Sequence, residues 1–238
     1  LLKDKLDDLL AEFDHLLDDK PFEPGDWKGE LVLASSDYVA QYVLPDIASH
    51  LSSFAPQLDM AYRLWQPDFL DKLHETGIHI ASSIYPEQPK GVSSVKIGED
   101  SSVCLMKASH PLAKQDHISV EDLISYSHIK VNGGGDKDSY TDLALRELGY
   151  TRHVTFKVPF FSAAINRLVS SEHLMVVPEH IAVNLAKHWD LAHKALPLET
   201  PTHQYWLMWH PKYDTDPAHK WAREEILSVM QISEYSIR

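Results

Sequence analysis

From residue 30 to residue 232 short apolar runs alternate with helical patterns, and this alternation constrains the fold more than any other feature. The apolar runs read as buried strands at Glu30 to Ser35, Leu58 to Arg63, Ile78 to Ser83, Ser94 to Ile97 and Val103 to Ala108. Later runs are His128 to Val131, Val154 to Lys157, Leu174 to Val177, Ala195 to Pro197 and Gln204 to His210. Helical patterns fall between them, near 38–54, 67–76, 119–126, 138–149, 161–172, 179–189 and 215–232. Strand, helix, strand order with short connections predicts parallel, doubly wound α/β sheets. The clearest helix start is Asp216 as cap with Pro217 at the first helical position.

Two stretches break the rhythm. "SSVCLMKASHPLAK" runs a long strand into a polar loop, and "ALPLETPTHQYWLMWH" puts two prolines before another long strand. Both read as crossings between two lobes. Residues 28–104 with 206–238 are expected to form lobe I, and 105–205 lobe II. Residues 1–20 stand apart, because Leu2, Leu6, Leu9, Phe13 and Leu16 follow steps of 4, 3, 4 and 3. That is a heptad seam, widened by Leu10 and Leu17, which packs on the chain's own core or on a second chain. "KPFEPGDWKG" then reads as a linker.

Charge and cysteine content narrow the function. The chain carries 35 acids against 22 bases, a net charge of −13. Such a surface repels phosphate, so this chain is not expected to grip nucleic acid itself. The one cysteine, Cys104, can build neither a disulfide framework nor a thiolate cluster, and reads as a small buried hydrophobe. No apolar run approaches the roughly 18 residues of a membrane span. The first residue is leucine rather than methionine, as in a fragment or processed product.

Fifteen histidines invite a metal site, but "LHETGIH" spaces His74 and His79 five apart, which on a helix cannot share a face. "SSVK" gives Ser93 and Lys96 the spacing of an activated serine, yet in an extended stretch the two point to opposite faces. "VNGGGDKDSY" lacks the lysine and hydroxyl of a phosphate loop and reads as a turn. No catalytic residue, metal ligand or cofactor is therefore assigned, and the chain reads as no enzyme.

In an open α/β sheet, ligands bind beyond the carboxyl ends of the strands. The tips here carry Ser35 and Ser36, then Trp65 and Gln66, then Ser83, then Asn132, then Phe160 and Phe161. These eight residues are the candidate ligand contacts. Hydroxyls and free backbone N–H groups beside helix starts suit an anion or a polar small molecule, and the aromatics suit an apolar or ring-bearing body. Asp37 reads as a helix cap, and Pro45 as a bend about two turns into one helix.

The order of motifs resembles the C-terminal effector-binding domain of LysR-type transcriptional regulators, in particular the NodD/LeuO-like branch. "PFEPGDW" is similar to that branch's linker. "LVLASSDYVAQYVLPDIASHLSSFAPQLDMAYR" is similar to its first strand, its helix with an internal Leu-Pro, and its second strand. "MKASHPLAK" and "SEHLMVVPEHIA" stand where the family has a His-Pro-Leu segment and a Gly-rich approach to Val-Pro. Departures are His79 for the usual aspartate and Glu172-His173 for the usual glycines.

The resemblance implies two Rossmann-like lobes joined by two crossover strands, the type 2 periplasmic-binding-protein fold, preceded by an N-terminal linker helix. It implies a small-molecule effector between the lobes, touching Ser36, Gln66, Ser83, Phe160 and Phe161. It further implies self-association as a dimer or tetramer, through the helix from Tyr38 to Phe54 and the pairing leucine helix. DNA would be bound only by a missing N-terminal domain, in the cytoplasm and with no membrane role. The rivals are a periplasmic solute-binding protein of the same fold and a two-domain α/β enzyme.

Overall fold

The computed structural model describes residues 21–131 and 139–237, together with Leu6 and Leu10 of the first segment. Its first elements are β1 (Gly29–Ser35), α1 (Asp37–Tyr42), α2 (Leu44–Phe54), β2 (Leu58–Leu64), β3 (Ile80–Ile84) and β4 (Ser93–Asp100). β5 (Ser102–Lys107), α3 (Val120–Ser125), β6 (His128–Val131), α4 (Ser139–Glu147) and β7 (Val154–Val158) follow. Then come α5 (Phe161–Val169), β8 (Leu174–Pro178), α6 (Glu179–Ala186), β9 (Leu191–Ala195), β10 (His203–Trp209) and α7 (Pro217–Ile232).

The strands form two five-stranded sheets, ordered β2-β1-β3-β10-β4 and β7-β6-β8-β5-β9. The chain leaves the first sheet after Asp100, joins the second at Ser102, and returns between Ala195 and His203. The sheets are mixed rather than parallel. β1 runs parallel to β2 and β3, and β6 to β7 and β8. β10 is antiparallel to β3 and β4, and β5 to β8 and β9. A chain that crosses between facing sheet edges enters its new sheet at the edge where the other strands end. It must therefore run against them, which the simple strand-helix alternation does not reveal.

Each strand's period of two feeds a core on both faces of its sheet. Leu31 and Leu33 pack with Leu51 of α2 and Ile226 of α7, whereas Val32 and Ala34 pack with Trp65, Ile78 and Met208. In the second sheet Val103 and Leu105 meet α5 and α6, whereas Cys104 and Met106 meet Leu112, Leu123 and Leu145. Cys104 is fully buried, and burial pushes its thiol up to about 12.

Several local expectations change. The helix expected over 38–54 breaks at Val43, and Pro45 lies in the first turn of a new helix instead of bending one. There its missing N–H costs no hydrogen bond. The α1 cap is Ser36, whose Oγ accepts from the Val39 N–H at 3.4 Å, not Asp37. The helix expected over 67–76 is a 3₁₀ turn at Pro67–Phe69 followed by turns closed by i to i+3 bonds. Leu70 and Leu73, three apart, then share the face turned to the core. The last strand of the second sheet lies at Leu191–Ala195 rather than 195–197, since Pro197 has no N–H to give to a ladder. Leu6 and Leu10 are helical and exposed, and the rest of the leucine seam lies outside the described residues.

Candidate functional site

The carboxyl ends of β1, β3 and β4 face those of β6, β8 and β9 across the two crossings. Between them lies a small cavity of about 30 Å³, room for one or two waters. Its first wall is Ser35, Ser36, Ser82 and Ser83 from the ends of β1 and β3, with Ile97 of β4 and Tyr205 of β10. His180 and Ile181 from the start of α6 face them, and Tyr235 to Ile237, beyond α7, close a side.

The serines are positioned by backbone geometry. A strand ending in two serines buries both at its tip, and Ser36 is held by capping α1. The Ser82 hydroxyl donates to Ser35 Oγ at 2.7 Å. The Tyr62 hydroxyl donates to the Ser36 carbonyl at 2.8 Å, tying β2 to the same tip.

α1 reaches across the gap. Asp37 Oδ2 accepts from the Phe161 N–H at 2.6 Å, so its carboxylate meets the start of α5 rather than its own helix. Tyr38 lodges in the core of the second sheet, edge-on to Phe161. Its hydroxyl donates to the Tyr235 carbonyl at 2.9 Å and accepts from the Asn184 amide at 2.8 Å. Burial raises its pKa.

The first crossing is pinned beside the cavity. Asp100 Oδ2 accepts from the His180 N–H at 2.9 Å and faces His180 Nδ1 at 2.7 Å, and Asp100 Oδ1 accepts from the Ser101 N–H. Burial alone would raise the Asp100 pKa, but these contacts outweigh it and hold the carboxyl below its usual range. Ser102 Oγ and His203 Nε2 lie 2.7 Å apart and join the two crossing strands. Both residues are buried, which keeps this hydroxyl and imidazole pair from a substrate. Tyr205 is half-buried, and its hydroxyl is shut from solvent with no hydrogen-bond partner among the described residues. Burial, then the nearby Asp100, pushes its pKa well up.

Of the sequence candidates, Ser35, Ser36 and Ser83 line the cavity. Trp65 is fully buried in the core on one face of the first sheet, and Gln66 beside it is exposed. Phe161 is buried in the second core, and Phe160 is exposed at the start of α5. Asn132 lies outside the described residues. Sequence reading missed Tyr205, His180 and the segment after α7, which come from distant parts of the chain. Only "SEY", with a tyrosine between polar residues just past a long helix, offered a signal.

The cavity lining contains no lysine or arginine. Among the described residues no three histidine, cysteine or acidic side chains gather as a metal site, and no helix is long and apolar enough to cross a membrane. Ser93 and Lys96 both lie in β4 and bond elsewhere, to Asp214 and Glu99. His79 sits at the far end of its strand, where Nδ1 accepts from the Val32 N–H at 2.8 Å.

The family model described as the LysR substrate binding domain matches residues 24–231. The HTH-type transcriptional activator NahR of Pseudomonas putida is 24% identical over 204 residues, covering 85% of this chain and 68% of that protein. The chain spans 63% of the HTH-type transcriptional regulator SyrM 1 of Sinorhizobium fredii (strain NBRC 101917 / NGR234), at 26% identity over 220 residues and 91% of this chain. Among solved structures, the regulatory domain of MexT, a transcriptional activator in Pseudomonas aeruginosa, aligns with a TM-score of 0.70 at 23% identity. That match covers 84% of this chain and 100% of the other. The effector binding domain of QuiR in complex with shikimate aligns with a TM-score of 0.69 at 15% identity, covering 89% of this chain and 100% of the other.

Proposed function

The chain belongs to the LysR substrate-binding domain family, and from that premise we propose that it senses a small-molecule effector held between its two lobes. One observation carries the reading: the tips of β1 and β3 meet the start of α6 at a cavity lined by Ser35, Ser36 and Ser83. These three are the proposed inner contacts. Gln66 and Phe160 are proposed to flank the opened cleft, with Trp65 and Phe161 bracing their tips, and Asn132 is proposed as a ligand contact from its place in the sequence. The effector binding domain of QuiR, solved in complex with shikimate, supports a small-molecule effector for a domain of this fold. The family match favours a regulator over a solute carrier or an enzyme of similar architecture.

Lobe I, expected at 28–104 with 206–238, is proposed as 28–100 with 203–238, and lobe II, expected at 105–205, as 102–195, because β5 joins the second sheet at Ser102 and β10 the first at His203. The Asp37 to Phe161 and Tyr38 to Asn184 bonds couple them. An effector that prefers one lobe arrangement shifts the population toward it, and coupling of about 1–3 kcal/mol changes a second site's affinity 5- to 150-fold. In the whole regulator, residues 1–20 would pair as a linker helix in a dimer or tetramer. DNA would be held by a domain outside this chain, in the cytoplasm.

A thermal-shift screen of small carboxylates and ring compounds tests the reading. A ligand at 100 times its Kd adds about 2.7 kcal/mol. For a chain of this size that is a Tm rise of roughly 5–10 °C. The rise should vanish in the Ser36→Val/Ser83→Val double variant. A screen with no hit, or a hit untouched by the double variant, removes the reading.

A further inference from the structure

We propose that Tyr235 to Ile237 are a built-in occupant of the cleft, displaced by an effector that is uncharged and presents a carbonyl acceptor on an apolar body. This rests on the effector reading above. α7 ends at Ile232, and a turn closed by the Ser236 N–H on the Ser233 carbonyl aims the next residues into the gap between lobes. The Tyr235 carbonyl takes the Tyr38 hydroxyl at 2.9 Å. The Tyr235 ring clusters with Tyr42 of α1 and His188, just past α6, at centroid distances of 5.3 and 5.9 Å, and those two rings stack on each other at 6.1 Å. Glu234 Oε2 meets Lys187 Nζ at 3.0 Å. Ile237 is buried and takes the space over Gly98, where an added Cβ would lie 2.8 Å from Ile237 Cγ1. The segment as a whole thus touches both lobes, Lys187 and His188 on one side and Gly98 on the other, and a small cavity lies beside it.

The occupant fits imperfectly. Ser236 Oγ is buried with no hydrogen-bond partner among the described residues, as is the Tyr205 hydroxyl in the same lining. A buried hydroxyl left unpaired favours any molecule that pairs it. The chemistry of that molecule follows from what it replaces: a carbonyl for Tyr38, a polar atom for Tyr205, and an apolar group in the seat of Ile237. A carboxylate is disfavoured, because no lysine or arginine lines the cavity, Asp100 sits against the lining residue His180, and Lys187 beside the Tyr235 ring is already paired with Glu234. A charge taken from water needs a paired partner.

The test uses acetyl-Tyr-Ser-Ile-amide, the sequence of residues 235–237 as a neutral peptide, titrated by calorimetry. The native chain is compared with Ile237→Asp and, as a second way to empty the seat, with the chain lacking 234–238. Either opened chain should bind the peptide at least tenfold more tightly than the native chain. Equal binding by native and opened chains, or binding by none, overturns the occupant. Acetophenone should then displace the bound peptide at a tenfold lower concentration than benzoate, and the reverse order overturns the uncharged class. The peptide arm needs no natural effector. Its failure therefore leaves the effector reading standing, and a barren metabolite screen fails that reading whatever the peptide does.

Discussion

The two lobes repeat one plan with different chemistry. In each, the order across the sheet is second, first, third, incoming and fourth strand, with the incoming strand antiparallel to its neighbours. The third strands have equal length and place, yet β3 reads Ile-Ala-Ser-Ser-Ile and β8 reads Leu-Met-Val-Val-Pro. Ser82 and Ser83 are 9% and 7% exposed, against 5% and 4% for Val176 and Val177. The serines are thus buried almost as valines are, but carry hydroxyls to the cleft. Topology places a strand tip at the gap, and residue choice decides whether the tip is a polar wall or plain core. The first lobe supplies the polar wall. The second lobe receives α1, with Tyr38 in its core.

The largest way to break that division is to remove the ring that crosses it. Tyr38 is 2% exposed, and its hydroxyl serves both Asn184 and the Tyr235 carbonyl. Tyr38→Ala should cost about 3–5 kcal/mol by analogy with buried Phe and Trp truncations, read as a fall in the urea midpoint. Tyr38→Phe keeps the packing and should cost only about 1–3 kcal/mol, because it strands a buried amide. Equal losses in the two variants would mean that the hydroxyl, not the ring, joins the lobes.

Acid should strain both lobes alike. His219 in the first lobe donates from Nε2 to the His79 carbonyl and accepts at Nδ1 from Arg223, so it is fixed as a neutral ring with no place for a second proton. His128 in the second lobe is buried with Nε2 on the Leu123 carbonyl. Burial, reinforced by Arg223 and Arg152 respectively, lowers both pKa values to about 4. An unfolded histidine titrates near 6.5. Below about pH 6.5 the unfolded chain therefore binds protons that the folded chain refuses, and stability falls until about pH 4. Each histidine should contribute roughly 3 kcal/mol to that loss. Urea midpoints from pH 7 to 4.5 check it. His128→Gln and His219→Gln should each flatten the slope, and a midpoint level with pH in the native chain would contradict neutral burial.

What the sequence made legible follows from range. Runs such as Leu31 to Ala34 fix strands because alternate members pack into the cores on opposite faces of the sheet, so period and position suffice. The strand tips follow from them, and with them Ser35, Ser36 and Ser83. Pro45 misled because a proline two turns along one helix and a proline opening a second are the same letters, separated only by the break at Val43. Asp37 misled because a carboxylate before a helix suits a cap, while its partner Phe161 lies 124 residues away. Tyr38 and Tyr235 are 197 residues apart, and no local pattern announces such a pair.

The smallest effect separates structure from recognition in the serine wall. Ser82 and Ser35 bond one another, and a net hydrogen bond is worth about 1 kcal/mol. Ser35→Ala or Ser82→Ala alone should each cost about that much, because either leaves a buried hydroxyl without its partner. The double variant removes both polar groups, as the second lobe's valines do, and should cost clearly less than the sum. A cycle of urea midpoints should therefore show a coupling of about 1 kcal/mol. Strict additivity would mean that the two hydroxyls do not stabilise each other. The serine wall would then owe its burial to the cleft's ligand alone, and the contrast with β8 would become one of function rather than of packing.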